Sequence, residues 1–295
     1  MVHDGSTHLT NSGLCIVSAS HEQGFSTKGL FCKENVRILS RKGIFALKEV
    51  DLGNWSPQLT GTQKKDDYLE FLIFLNDSIR EMHGQNATQM MLPIISDLEQ
   101  LVKEMETDPS LLDLVINNAG LLPINSKGLF YRSLFDILIK TIPALELEKM
   151  NVEGFVSTNN RTASNLVTDL IDEMPYCANG VDPLWGTVIA KPYEDVFKTW
   201  TTEAQMKSNL GRALIRLLRV AVSHPCEIAM VRRIKNKLGR PDLIASQPTC
   251  HEVVILLDYC FPKVPGRMAR AFWNHGFYKW LNMPSLFPMA WGKRL

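Results

Sequence analysis

Residues 111 to 120 read Leu-Leu-Asp-Leu-Val-Ile-Asn-Asn-Ala-Gly, and this stretch decides the predicted fold. Five apolar residues surround a single aspartate and end in Val-Ile, which is typical of a strand buried on both faces of a parallel sheet. The two asparagines then supply side-chain amides, and the glycine allows a positive φ, so the backbone can pass close to a flat ligand. The stretch therefore predicts a central strand that ends in a ligand-binding turn.

The rest of the chain predicts strands that alternate with helices. Candidate strands cover 13–20, 36–40, 90–95, 186–190 and 227–231. Candidate helices cover 67–82, 97–105, 129–170, 203–222 and 251–258, and 52–65 has the composition of a loop. Such alternation favours an α/β fold, a doubly wound parallel sheet of the Rossmann-like type with helices on both faces. We expect one such domain over residues 1–260, followed by a C-terminal extension over 261–295.

Composition narrows the class of protein. The 295 residues carry a formal net charge of +1, which does not favour nucleic acid as a partner. The six cysteines include no C-x-x-C pair, and the seven histidines show no metal-ligand spacing, so we expect reduced thiols and no metal site. The N-terminus lacks the pattern of a signal peptide, and no apolar stretch reaches the length of a transmembrane helix. These features predict a cytoplasmic protein.

Several motifs resemble those of the short-chain dehydrogenase/reductase family. The turn 117–120 is similar to the one that follows the family's fourth strand, 150–154 resembles its asparagine-containing helix, and 207–218 resembles its active-site lysine helix. The resemblance covers roughly residues 13 to 260. It implies an oxidoreductase that uses NADP or NAD and acts on a carbonyl or secondary alcohol. The expected substrate is an apolar small molecule, such as a steroid, a retinoid or a lipid-like ketone.

The resemblance also implies site residues. The cofactor would lie against the first turn, the end of the second strand and the central turn, which assigns cofactor binding to Ser18, Gly24, Arg41, Asn118, Ala119 and Gly120. Among these, Arg41 would meet the 2′-phosphate of NADP, unless it is an ordinary solvated charge.

For catalysis, the resemblance assigns Asn151 to a proton-relay water and Lys207 to a cation that lowers the pKa of a hydroxyl donor. Tyr193 is the substitute candidate for that donor, with a surface tyrosine as the competing interpretation.

The chain also departs from the family pattern. The family's tyrosine, four residues before the lysine, is replaced by Glu203, and the first turn retains one clear glycine, Gly24. A Cβ at the other glycine positions would push a pyrophosphate away. The alternative hypothesis is therefore a catalytically inactive member of the same fold that binds a ligand or a protein partner.

The C-terminal segment 267–294 interleaves aromatic and basic residues. Aromatic rings beside cations suit a membrane interface, where one end of the side chain is apolar and the other is wet. The same pattern fits a lid over an apolar substrate or a contact between copies of the chain. Pro284 and Pro288 prevent one continuous amphipathic helix, which favours a lid or packing over peripheral membrane contact.

Overall fold

The computed structural model describes residues 2–39, 44–48, 55–87, 91–142, 211–223 and 250–287. Within these residues the protein is mainly helical, and the chain divides into two compact units. Unit 1 comprises Met1–Pro123 with Phe287–Leu295, and unit 2 comprises Ile124–Leu286.

The described part of unit 1 consists of helices and one small two-stranded sheet. Its elements in chain order are α1 Val2–Glu22, β1 Val36–Leu39, β2 Ile44–Leu47, α2 Gly61–Ala87, α3 Met91–Glu104, a 3-10 turn Pro109–Leu111, α4 Leu112–Ile116 and a second 3-10 turn Ala119–Leu121. The strands β1 and β2 pair antiparallel, with Val36 opposite Leu47. The core forms where α2 packs against α1 and α3, while α4 packs on α1 and α3.

The contact between α1 and α2 depends on a glycine. Gly13 faces the Phe71 ring so closely that a Cβ at this position would lie 2.1 Å from two ring carbons. The Phe71 side chain is fully buried. The absence of a side chain at Gly13 therefore allows the two helices to approach around this ring.

Helix α2 begins at Gly61 because the preceding residues cap it. The Thr60 backbone N–H donates to Gln63 Oε1 at 2.9 Å, and the Gln63 backbone N–H donates to Thr60 Oγ1 at 3.1 Å. This reciprocal pair is a capping box, which satisfies two of the N–H groups that a helix start leaves open. The residues 61–65, predicted as loop, are therefore helical.

The described helices of unit 2 are arranged around one of them, α5 Ile124–Asp136. Helix α5 continues as a π-helical turn Ile137–Thr141, and the other described elements are α6 Gly211–Ser223, α7 Cys250–Cys260, α8 Val264–Asn274, a 3-10 helix Tyr278–Leu281 and α9 Met283–Leu286. Helix α5 packs against α6, α7, the 3-10 helix and α9. The buried face of α5 and its π-helical continuation contains Phe130, Tyr131, Leu134 and Leu138.

The end of α8 shows why the chain turns there. The Gly276 backbone N–H donates to the Trp273 carbonyl at 3.0 Å, and Phe277 N–H donates to the Phe272 carbonyl at 2.8 Å. Gly276 has φ +76°, the left-handed conformation that commonly ends a helix. The chain can then reverse into the 3-10 helix that packs back on α8.

The predicted doubly wound parallel sheet is wrong. Among the described residues, strand pairing consists of the antiparallel β1–β2 hairpin and one isolated bridge between Phe25 and Trp55. The predicted strand at 13–20 lies in α1, and residues 91–95 of the one predicted at 90–95 lie in α3. The predicted strands at 186–190 and 227–231 lie outside the described residues.

The central stretch 111–116 is also helical rather than a strand. Leu111, Leu114 and Val115 are buried while Asp113 is exposed, so the buried positions follow the i, i+3, i+4 spacing of a helix. A short apolar run is compatible with either structure, and here the 3.6-residue period decides.

Candidate functional site

The predicted cofactor turn is part of the packed interior of unit 1. Asn118 caps the 3-10 turn, where its Oδ1 accepts a hydrogen bond from the Gly120 backbone N–H at 2.9 Å. Asn118, Ala119 and Gly120 are all buried, and a Cβ on Gly120 would lie 3.1 Å from Ile94. The amide and the glycine thus serve local packing, with the Asn118 oxygen engaged inside the turn.

Two further predicted cofactor residues, Ser18 and Gly24, lie near the end of the first helix of unit 1. Ser18 is part of α1, and Gly24 follows that helix with φ +80°. A Cβ on Gly24 would lie 2.6 Å from the Ser56 carbonyl oxygen, and the Ser56 N–H donates to the Gly24 carbonyl at 2.8 Å. Gly24 therefore allows a close approach of two backbone segments, and its role in cofactor binding stays a prediction.

The remaining predicted site residues lie outside the described residues. These are Arg41 for the cofactor phosphate and Asn151, Tyr193 and Lys207 for catalysis. Their roles stay predictions.

A buried carboxylate ties three segments of unit 1 together. Asp67, in α2, accepts hydrogen bonds from Ser26 Oγ at 2.8 Å and from the Thr27 backbone N–H at 2.9 Å. His21 Nε2, at the end of α1, lies 2.8 Å from Asp67 Oδ2. The His21 ring also meets the Tyr68 ring edge-on, with centroids 5.3 Å apart. We call these four residues, His21, Ser26, Thr27 and Asp67, the Asp67 cluster.

The Asp67 cluster contains a serine, a histidine and an aspartate, but not in the order that nucleophilic catalysis requires. A nucleophilic serine donates its proton to the histidine, which the aspartate orients. Here the Ser26 hydroxyl donates to Asp67, and His21 contacts the same carboxylate. Both the His21 and Asp67 side chains are almost fully buried, at 5% and 2% exposure. The arrangement therefore supports a structural clasp between α1, the following turn and α2.

A second buried charged cluster lies in unit 2. The Lys127 ammonium, in α5, donates to Asp258 Oδ2 in α7, and the Tyr131 hydroxyl donates to Asp258 Oδ1 at 3.3 Å. All three side chains are buried. Burial raises the pKa of Tyr131 well above its usual value of 10, and the Asp258 carboxylate raises it further. This Lys127 cluster is closed to solvent, so it fastens α5 to α7 instead of offering a reactive group.

The two units carry net charges of opposite sign. The described residues of unit 1 contain eight Lys and Arg against fourteen Asp and Glu, a net of −6. Those of unit 2 contain ten Lys and Arg against three Asp and Glu, a net of +7. Over its whole sequence, unit 1 has 12 Lys and Arg against 16 Asp and Glu, a net charge of −4. Unit 2 has 20 Lys and Arg against 15 Asp and Glu, a net charge of +5. The overall charge of +1 is thus the sum of two opposite charges.

Two acidic residues in the described part of unit 2 form ion pairs with lysines. Asp258 pairs with Lys127 in the interior, and Asp136 pairs with Lys140 on the surface at 2.7 Å. The described part of unit 2 then has eight further cations and one further acid, Glu252.

Arginines from α5 and α6 form the best-defined basic surface. Arg132 in α5 donates to the Val222 carbonyl at 2.9 Å, which fixes it across the end of α6. Arg219 in α6 lies over the Phe135 ring of α5, with its guanidinium carbon 5.2 Å from the ring centroid. Arg216, one helical turn before Arg219, is exposed. We call Arg132, Arg216 and Arg219 the arginine surface.

The C-terminal segment is only partly exposed over its described residues, 267–287. Phe272 and Tyr278 are buried, and the Trp273 and Tyr278 rings meet edge-on with centroids 5.2 Å apart. Trp280, in contrast, is 42% exposed, and the Lys279 ammonium lies 5.9 Å from its ring centroid. Most of the aromatic residues described here therefore pack within unit 2, and one ring faces solvent beside a cation.

Other kinds of site find no support in the described residues. In those ranges no three His, Cys, Asp or Glu side chains come together as metal ligands would. None of the helices that the structure describes has the length and apolar character needed to span a membrane. No protein-family model, curated protein or solved structure matches the chain. The basic surface of unit 2 is the candidate site because its described residues include ten Lys and Arg against three Asp and Glu.

Proposed function

We propose that the protein binds nucleic acid through the basic surface of unit 2. The observation that carries the proposal is the separation of charge, with a net of +7 on the described residues of unit 2 and −6 on those of unit 1. Binding of nucleic acid is driven largely by release of counterions from phosphates, and a local basic surface is sufficient for it. The expectation against nucleic acid rested on the overall charge, which averages over both units.

The arginine surface supports phosphate binding in particular. A guanidinium is planar and always charged, and it can donate two hydrogen bonds to one phosphate. The contact of Arg219 with Phe135 and that of Arg132 with Val222 O hold these side chains in place. Less side-chain freedom is then lost on binding, so each contact contributes more to affinity.

The proposal is tested with a fluorescent 20-nucleotide single-stranded RNA, whose anisotropy is followed from 50 to 200 mM NaCl. Two variants are compared with the wild type. The first is Arg216→Ala with Arg219→Ala, and the matched control is Arg80→Ala with Lys103→Ala, two exposed cations of unit 1. Both variants lower the net charge by the same amount, so a difference in their RNA affinity depends on where the removed cations lie.

We expect the wild-type affinity to fall steeply with salt. Each phosphate contact contributes about 0.7 to the slope of log K against log salt for single strands. The unit 2 variant should therefore lower the slope by about 1.4, while the control leaves it unchanged. Absence of binding at 50 mM salt, or equal effects of the two variants, contradicts the proposal.

The oxidoreductase activity and the NADP cofactor that the family resemblance implied stay predictions. They are tested by energy transfer from the tryptophans to NADPH and by turnover of steroid, retinoid and aliphatic ketones. The described fold differs from the doubly wound sheet on which the resemblance depended, so the fold does not support the oxidoreductase hypothesis.

A further inference from the structure

We infer that Trp280 is a stacking platform for a base of single-stranded nucleic acid, with Lys279 contacting the neighbouring phosphate. This inference rests on the proposed function and specifies the form of nucleic acid that unit 2 selects. It starts from the exposure of Trp280, a large apolar residue that is 42% exposed although Tyr278 and Leu281 of the same 3-10 helix are buried.

The platform is held by its neighbours in the chain. Tyr278 and Leu281, in the same 3-10 helix, are buried, and Met283 is buried at the start of α9. Asn282 between them adopts the left-handed conformation, φ 44° and ψ 47°, and its carbonyl accepts hydrogen bonds from the Ser285 N–H and hydroxyl. An asparagine tolerates this conformation better than most residues. The anchored turn thus presents Trp280 and Lys279 outward on a fixed support.

The position and chemistry of this pair fit a single strand. The 3-10 helix packs on α5, the helix that also carries Arg132 of the arginine surface. Single-strand binding sites combine cations that follow the backbone with aromatic side chains that stack on bases, whereas the bases of a duplex are already stacked. An exposed indole beside a lysine ammonium at 5.9 Å supplies both groups.

A membrane is the weaker candidate for the same segment. Interfacial helices insert a continuous apolar face into the lipid. In α8 the apolar residues Val264, Met268 and Phe272 are buried within unit 2, so they are already used in packing. One exposed ring is sufficient to stack on a base, but it offers little surface for insertion.

The experiment compares Trp280→Ala with Trp55→Ala, a tryptophan of unit 1 that is 55% exposed. Affinities are measured for a 20-nucleotide single strand, for the duplex of the same sequence, and for vesicles that contain phosphatidylserine. Loss of one stacked base should weaken single-strand binding about 5- to 150-fold. Duplex binding should change less than about twofold. Trp280→Phe should restore most of the affinity, and Trp55→Ala should have no effect.

The outcomes separate the two proposals. If the wild type binds neither strand form at 50 mM salt, the proposed function fails and this inference fails with it. If the wild type binds both forms and Trp280→Ala binds the single strand normally, the stacking role alone is refuted. Equal losses for single strand and duplex also refute it. A Trp280→Ala variant that loses vesicle binding but keeps single-strand binding assigns the ring to a membrane.

Discussion

Replacing Lys127 by methionine should strongly destabilise unit 2, because it leaves the Asp258 carboxylate buried without its cation. In the wild type the ammonium donates to Asp258 Oδ2, and the second carboxylate oxygen has the longer 3.3 Å hydrogen bond from Tyr131. Methionine fills a similar volume, so the change mainly removes the charge. Breaking one partner of a buried pair costs about 3–5 kcal/mol, because the remaining ion is uncompensated.

The loss of stability caused by Lys127→Met should depend on pH. In the Lys127→Met variant, burial without a cation should raise the pKa of Asp258 above its unfolded value of about 3.9, so the folded variant favours the protonated carboxyl. Protonation removes the penalty, and the variant should lie closest to the wild type at low pH. As pH rises above the unfolded pKa, stability is lost at up to about 1.4 kcal/mol per pH unit until the raised pKa is passed.

The assay is urea unfolding followed by circular dichroism at pH 5 and pH 8. The matched control is Lys140→Met, which removes the exposed i,i+4 partner of Asp136 and should cost about 0.5 kcal/mol or less. A double variant, Lys127→Met with Asp258→Leu, should recover most of the loss, because no buried charge remains. The reasoning is refuted if Lys127→Met costs no more than the control, or if the double variant is less stable than Lys127→Met alone.

Three further predictions concern the packing of unit 1 and a buried thiol of unit 2. Gly13→Ala should lower the free energy of unfolding by about 1–3 kcal/mol, because its Cβ would lie 2.1 Å from the Phe71 ring; urea unfolding measures the loss. Asp67→Ala should cost at least about 2 kcal/mol in the same assay, because three buried donors lose their acceptor. Burial raises the pKa of Cys260 to about 12, so iodoacetamide at pH 8 should alkylate the exposed Cys15 at least about 100-fold faster, as peptide mass spectrometry would show.

Controls for these predictions come from neighbouring positions. Gly61→Ala, whose Cβ would meet its nearest atom at 3.7 Å, should be neutral or slightly stabilising, and Asp66→Ala removes an exposed carboxylate beside Asp67. Equal losses for Gly13→Ala and Gly61→Ala, or for Asp67→Ala and Asp66→Ala, would show that the described contacts do not set stability. Rapid alkylation of Cys260 in the folded protein would contradict its burial.

The sequence predicts several elements of the fold and misassigns others for an identifiable reason. The helices expected at 67–82 and 251–258 are confirmed within α2 and α7, and the strand expected at 36–40 is confirmed over 36–39 as β1. Segments 13–20 and 90–95 are short and apolar, so composition alone does not distinguish a buried strand from a buried helix. In 91–102 the buried positions are Met91, Ile94, Ile95, Leu98, Leu101 and Val102, a helical period that extends beyond the predicted strand.

The structural clusters could not be predicted from spacing in the sequence. His21 and Asp67 are 46 residues apart, and Lys127 and Asp258 are 131 residues apart. No local motif marks such pairs, because the contact depends on how helices dock. The charge separation, in contrast, is present in the sequence, but it becomes visible only when residues are counted by unit rather than over the whole chain. The boundary at Pro123 is a tertiary feature.

The distance along the chain between Lys127 and Asp258 has a consequence for the order of assembly during synthesis. The lysine is completed 131 residues before its partner. At about 5–20 residues per second, roughly 7 to 26 seconds pass before the ribosome adds the aspartate. Until then the Lys127 ammonium lacks the Asp258 carboxylate as a partner, and burying the unpaired charge would be unfavourable. We therefore expect Lys127 of α5 to stay in water until α7 has been synthesised. The contacts of the Asp67 cluster in unit 1 can form earlier.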